Sequence, residues 1–412
     1  MKSVYFTYIF LILLFQNITA QNTDILTKFS RGKYASMGGS GLGIVRGISS
    51  IDFNPAGLKD IQTKSFSVSS NFKYYSYDSF IHNSGAGTIT SLWNSKVLNF
   101  ESISAFLPIS NSISIGAGLY QKLSPFTSNV RRFTTWSIMF SQETAGSIYA
   151  IAVAGGYKIS SNFSIGLTLY KYFGNTSSKI IGDNHGDDSD KYASLKNSYS
   201  GYGFRFGSQF ELGNIAAGII IEIPTELDVK TTSSISQDNL YQYLLPQYDE
   251  TVFKLPLIFG IGLTYTQKNS FILSLEVESQ KYSDNNVQFN LFEYGSNPEW
   301  RNLILVRGGV EFYPFSNSLI PIRFGYAYIP QLYSSNNSIG TGQIITGYSN
   351  TDQNVIHTFS TGTTLNYRSF EINIGLQYSF YNWHRNLDTY INIYEDYSGK
   401  TITLLTQIIF QF

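Results

Sequence analysis

The feature that most constrains this chain is a period-two alternation of apolar and polar residues that returns again and again between turns. In 65–76, Phe66, Val68, Phe72 and Tyr74 share one face, while Ser67, Ser69, Asn71 and Lys73 share the other. In 369–382 the apolar row is Phe370, Ile372, Ile374, Leu376, Tyr378 and Phe380, set against Glu371, Asn373, Gly375, Gln377 and Ser379. Successive side chains of a strand point to opposite faces, so each such segment predicts a strand with one wet and one apolar side. The segments pair across Pro108–Asn111, Ser160, Gly213, Gln267–Asn269, Pro314–Ser318 and Arg368, which predicts hairpins with short turns. Between the hairpins lie polar stretches of about 20 residues each, near 77–96, 124–145, 175–197, 225–252, 283–300, 331–354 and 383–399. Strict alternation of short and long connections is the rule for membrane barrels, and a β-sandwich does not need it. The expectation is an all-β chain, a 14-stranded antiparallel transmembrane β-barrel, with strands of about 10 to 14 residues that cross a bilayer at a tilt.

Membrane energetics then decide which face is which. An Arg or Lys at mid-bilayer on the lipid side costs about 2–4 kcal/mol, so Arg205, Glu276, Glu278, Arg307, Glu311, Arg323 and Glu371 are expected to point into the lumen. Lys171 falls on an apolar row and is expected to snorkel towards the headgroups. The last strand carries Ile402, Leu404, Ile408, Phe410 and Phe412 on one row, and its aromatic end resembles the strand signal by which outer-membrane proteins are inserted.

The address agrees. Lys2, an apolar run from Val4 to Phe15 and the small end at Thr19-Ala20 predict a signal peptide over 1–20, since the run falls short of the roughly 20 residues a membrane helix needs. With no Cys there are no disulfides, no thiol chemistry and no lipidated cysteine. Basic and acidic residues balance at 28 each, which leaves no footprint for a nucleic acid. The expected place is the outer membrane of a Gram-negative cell, with both termini periplasmic because the strand count is even.

One stretch refuses to alternate. Gly38, Gly39, Gly41, Gly43 and Gly47 crowd Tyr34–Leu58, and Pro55 follows them. Such a backbone has little preference for strand or helix. Fourteen tilted strands enclose a circumference of about 88 Å and a diameter of about 28 Å, too wide to be filled by wall side chains alone. Residues 21–62 are therefore read as an N-terminal plug, and 63–412 as the barrel.

At these residues the sequence resembles the FadL-type transporters of long-chain fatty acids and other hydrophobic compounds. The matching pieces are GGSGLGIV from Gly38, DFNPAGL at Asp52–Leu58, GGVEFYPFSNSLIPIRFGYAY at Gly308–Tyr328 and HTFSTGTTLNY at His357–Tyr367. The resemblance implies a hatch marked by Asn54, Pro55, Ala56, Gly57 and Leu58, a monomeric barrel, and passive uptake with no energy source. It also implies a sideways exit near the 112–123 strand, where Gly116 and Gly118 would permit a kink. The same motif is shared with 14-stranded barrels of type IX secretion that dock secreted cargo proteins, and secretion partners are the alternative. Uptake is preferred because Leu405, Ile409 and Ile272 are apolar yet inward.

The residues singled out for lumen or ligand contact are Phe53, Arg205, Arg307, Arg323 and Glu371, with Arg307 and Arg323 expected to pair with Glu311 and Glu371. Asn54 is expected to cap a turn. The acidic segment Gly182–Asp190 lacks the spacing of a calcium loop and is read as a solvated loop. No metal site and no cofactor is expected. Only four His are present, His82, His185, His357 and His384, with no nucleophile motif beside them, so the chain is read as a non-enzyme. The expected partners are hydrophobic small molecules or fatty acids and the lipids of the outer membrane.

Overall fold

The computed structural model describes residues 32–412 apart from 60–62, 84–86, 125–126, 134–137, 185–190, 236–248, 268–269, 284–295, 315–319, 331–332, 338–354 and 389–392. Residues 1–20, expected to be a signal peptide, the start of the plug and most of the 182–190 segment lie outside the described residues.

The strands are β1 (Ser65–Asn83), β2 (Gly87–Pro108), β3 (Ile113–Leu123), β4 (Thr127–Phe133), β5 (Ile138–Lys158), β6 (Phe163–Asn184) and β7 (Lys191–Leu212). They continue as β8 (Ile215–Glu222), β9 (Thr225–Ile235), β10 (Glu250–Leu255), β11 (Ile258–Gln267), β12 (Phe271–Gln280), β13 (Ser296–Trp300) and β14 (Leu303–Phe312). The last are β15 (Ile322–Pro330), β16 (Tyr333–Asn337), β17 (Val355–Tyr367), β18 (Phe370–Asp388) and β19 (Ile393–Gln411). All ladders are antiparallel, and β1 closes on β19 from Ser65↔Gln411 to Asn83↔Ile393. Five staves are interrupted: β3 runs on as β4, β8 as β9, β10 as β11, β13 as β14 and β15 as β16. The result is a closed barrel of 14 staves.

The walls sort as the alternation requires. Ile151, Val153, Leu169, Phe204, Phe206, Leu273, Leu275, Leu376 and Leu404 are exposed on the outer face, while Arg205, Glu276, Glu278, Arg307, Glu311 and Arg323 are buried in the interior. An apolar skin around a closed sheet is stable only in lipid, and closure pairs the first strand with the last. Among the described residues no helix is long and apolar enough to cross a membrane. Lys171 does sit on the outer row, 3.9 Å from the Tyr202 ring, with its ammonium donating to Ser200 Oγ.

The hairpins reach further than the alternation indicates. β1 and β2 cover most of 77–96, β6 and β7 cover most of 175–197, and β18 and β19 cover most of 383–399. His82 and His384, read as loop residues, fall in β1 and β18. Beyond the apolar skin both faces of a strand are polar, so period two disappears from the sequence while the backbone ladder continues. On β9, Glu226, Asp228 and Lys230 occupy the outward positions that Ile219 and Ile221 hold on β8.

Candidate functional site

The plug folds as three short 3-10 turns, Gly32–Met37, Gly47–Ser50 and Pro55–Leu58, and its side chains Tyr34, Met37, Leu42, Val45 and Phe53 make a small core of their own with Ile220 of β8. Phe53 meets Tyr34 edge to face at 5.7 Å and is fully buried there, so it seats the plug rather than lining an open lumen. Ile272, expected to point inward, packs against this same core. Leu405 and Ile409 are buried on β19.

Asn54 acts as the sequence suggests and does more. Its Oδ1 accepts from the Ala56 amide at 3.2 Å, capping the PAGL turn, while Nδ2 donates to the carbonyls of Leu42 at 2.9 Å and Ser208 at 3.1 Å. Pro55 opens that turn, where its missing N–H costs nothing. Ala56, Gly57 and Leu58 complete it and are buried.

The wall meets the plug with glycines. A Cβ on Gly166 would strike the Pro55 backbone, one on Gly218 the Leu42 backbone, one on Gly309 or Gly325 the Met37 backbone, and one on Gly362 or Gly375 the Ser36 side chain. These positions come from β6, β8, β14, β15, β17 and β18, so the plug is bedded around the lumen rather than hung from one side. On the plug itself Gly38 has φ 68° and lies against the Tyr326 backbone, a combination only glycine accommodates without strain.

Charge fastens what the glycines admit. Arg205 pairs with Glu222 through Nε at 2.8 Å and also donates to the backbone carbonyls of Asp52 and Phe53. Asp52 in turn pairs with Lys122, whose ammonium lies 4.2 Å from the Tyr170 ring. Arg307 bridges Glu276 at 2.7 Å and Glu278 at 3.0 Å, and Glu276 also accepts from the Gly41 and Leu42 amides of the plug. Arg323 pairs with Glu311 at 2.5 Å. Arg307 therefore takes Glu276 and Glu278, not the expected Glu311 or Glu371, because cross-strand register sets Glu276 directly opposite it. Glu371, half-buried, accepts from Asn373 at 2.9 Å. The Lys33 ammonium is held above its usual range, chiefly by Tyr34, with Glu371 and Glu311 adding to it and burial opposing.

Further from the short turns, the inner wall turns apolar. Val97, Leu123, Ile148, Tyr172, Leu227, Phe253, Leu305, Ile329, Ile356 and Tyr381 belong to one buried cluster that spans most staves.

Next to this layer the sheet is incompletely zipped. Among the described residues the β2–β3 ladder runs only from Pro108↔Ser114 to Ser102↔Tyr120, although β2 continues to Gly87 and β3 with β4 continues along β5. A bulge flanks its end on each side: Glu101 drops out of the β1–β2 register and Lys122 out of the β3–β5 register. Gly116 and Gly118 lie within the regular part, where Gly116 makes room for Ile51 of the plug. The register irregularity nearest those glycines falls instead at Lys122. Sequence reading missed Asp52, Glu101, Lys122 and Glu222. A lysine and a glutamate inside otherwise alternating strands were the available signal, but a bulge shifts the facing of its residue and hides it from a period-two count.

The family model for BamG matches residues 27–328, well over half of the chain and most of the plug. The chain belongs to the BamG family. No curated protein matches it significantly. Among solved structures, this BamG-family barrel resembles a Pseudomonas aeruginosa FadL homologue with TM-score 0.63 and 11% identity, over 96% of this chain and 98% of that one. It also resembles the P. putida toluene transporter TodX with TM-score 0.59 and 12% identity, covering 92% and 98% of the two chains. The Ralstonia pickettii toluene transporter TbuX gives TM-score 0.58 and 14% identity, again over 92% and 98%. At these identities the likeness is one of fold. The FadL resemblance of the sequence thus holds for the architecture, while the family is BamG.

Proposed function

We propose that this barrel admits hydrophobic compounds passively across the outer membrane, long-chain fatty acids being one such class. The observation that carries the reading is the apolar inner layer beside the unzipped β2–β3 seam. Transfer into such a layer is favoured by about 25 cal/mol per Å² of apolar surface removed from water, so capture needs no pump. The seam gives a sideways route into lipid that leaves the plug in place. Movement of the whole plug would break the Arg205 bonds to the Asp52 and Phe53 carbonyls, the Glu276 bonds to the Gly41 and Leu42 amides and the Lys122–Asp52 pair together. The barrel acts without covalent chemistry.

The bedding of the plug favours a second reading, in which the closed barrel docks secreted proteins and conducts nothing. The two separate in one experiment. Vesicles carrying the refolded chain are followed for transfer of a neutral fluorescent hydrocarbon, and the variant Ala327→Trp, which fills the apolar layer, is measured beside it. Uptake requires faster transfer than in empty vesicles and its loss in the variant. Equal transfer in all three, together with loss of surface proteins on deletion of the gene, would leave only the docking reading.

A further inference from the structure

His357 stands on the outer row of β17, facing the bilayer, where an ionisable side chain is costly without a purpose. Its Nδ1 shares a 2.8 Å hydrogen bond with the Tyr326 hydroxyl. Around it stand Tyr328, with ring centroids 6.0 Å away, and Phe380, stacked at 5.4 Å. Register carries the same level onward, from Tyr328↔His357 to His357↔Phe380 and from Phe380 to Lys400, which is exposed on β19. Two staves beyond, across β1, Lys96 of β2 is exposed opposite Tyr74, two residues along from the position in register with Lys400.

The level matters. A strand tilted by about 40° climbs about 2.5 Å per residue along the membrane normal. His357 lies ten residues from Tyr367 and Lys400 ten from Phe410, the ends of these strands near the short turns. That is about 25 Å, the height of the apolar band of such barrels, so both side chains come to the headgroup border on the side of the long hairpins. Below them the rows are apolar, with Phe359, Tyr378, Ile402 and Leu404 exposed. Aromatic rings at this depth anchor any barrel. Two lysines and a tyrosine-bonded histidine on alternate staves, β17, β19 and β2, add what anchoring does not require.

We infer that the outer face of β15, β17, β18, β19, β1 and β2 holds a phosphate-bearing lipid headgroup, bound by Lys400, His357 and Lys96, its acyl chains lying on the aromatic rows beneath. Alternate staves are about 10 Å apart, which suits a headgroup with two phosphates. Phosphate is the shared chemistry, and the source is lipid rather than the free ion because the site opens onto acyl chains.

The test uses the full mature chain folded in nanodiscs of phosphatidylcholine with a small fraction of bis-phosphorylated lipid A, released into detergent and weighed by native mass spectrometry. The wild type is expected to retain lipid A, and Lys400→Ala and Lys96→Ala each to weaken retention about fivefold, the worth of one basic residue at a charged membrane surface. His357→Ala should weaken it in the same direction, while Leu275→Ala on β12, outside the site, should not. Equal retention by wild type and Lys400→Ala would overturn the inference, as would equal retention of a phosphate-free glycolipid. Displacement of the adduct by inorganic phosphate alone would also overturn it, assigning the site to the free ion.

Discussion

Replacing Arg307 by Met tests how the plug is held. The guanidinium is the cation that the structure places between Glu276 and Glu278, whose side chains are 0% and 2% exposed. Met fills a similar volume but leaves two carboxylates buried side by side. Breaking a buried pair by removing one partner costs about 3–5 kcal/mol, mostly the penalty of the stranded charge. The loss reaches the plug as well, because Glu276 also receives the Gly41 and Leu42 amides. The triple variant Arg307→Met, Glu276→Gln, Glu278→Gln strands no charge, and the side-chain amide introduced at position 276 keeps a carbonyl for those backbone amides. It is expected to recover more than half of the lost stability. The assay is urea unfolding of the detergent-refolded barrel, read from the folded and unfolded bands on an unheated gel. Limited proteolysis within 32–58 reports on the plug. A single variant within about 1 kcal/mol of wild type, or a triple variant no better than the single, would refute the stranded-charge account.

The glycine bed makes a paired prediction. Gly325→Val drives a side chain into the Met37 and Gly38 backbone and should cost about 1–3 kcal/mol, whereas Gly155→Val, whose Cβ meets nothing within 4 Å, should be nearly silent in the same gel assay. Asn54→Ala removes the cap and the bonds to Leu42 and Ser208 carbonyls, and a loss of about 1–3 kcal/mol with faster plug proteolysis is expected. Leu275→Arg, on the outer face of β12, should cost about 2–4 kcal/mol and lower the yield of folded barrel in vesicles. Lys33 gives a pH signature. Its folded-state value is raised, so its contribution is full below the ordinary lysine value of about 10.4 and fades as pH rises through the folded value. Wild-type stability measured against pH should fall there more steeply than that of Lys33→Met.

The comparison of sequence with structure divides along physical lines. Period two is a local property, so the alternation in 369–382 was enough to place Phe370 and Leu376 towards lipid and Asn373 and Gln377 inward, and the pattern repeated often enough to count 14 staves. The plug was legible for a similar reason: a glycine-rich run that cannot alternate precedes a wall too wide to fill itself. Asn54-Pro55 read as a capped turn because the cap is made within three residues. Where side chains meet across tens to hundreds of residues the sequence was silent. Which carboxylate Arg307 takes depends on the register between β12 and β14. The facing of Glu101 and Lys122 depends on one extra residue in each ladder. The glycines at 166, 218, 309, 325 and 362 look like ordinary strand glycines until the plug backbone is seen against them. Local chemistry chose the barrel and its plug, and only the closed tertiary structure decided how they lock, because that lock is built from contacts between segments that no spacing along the chain brings together.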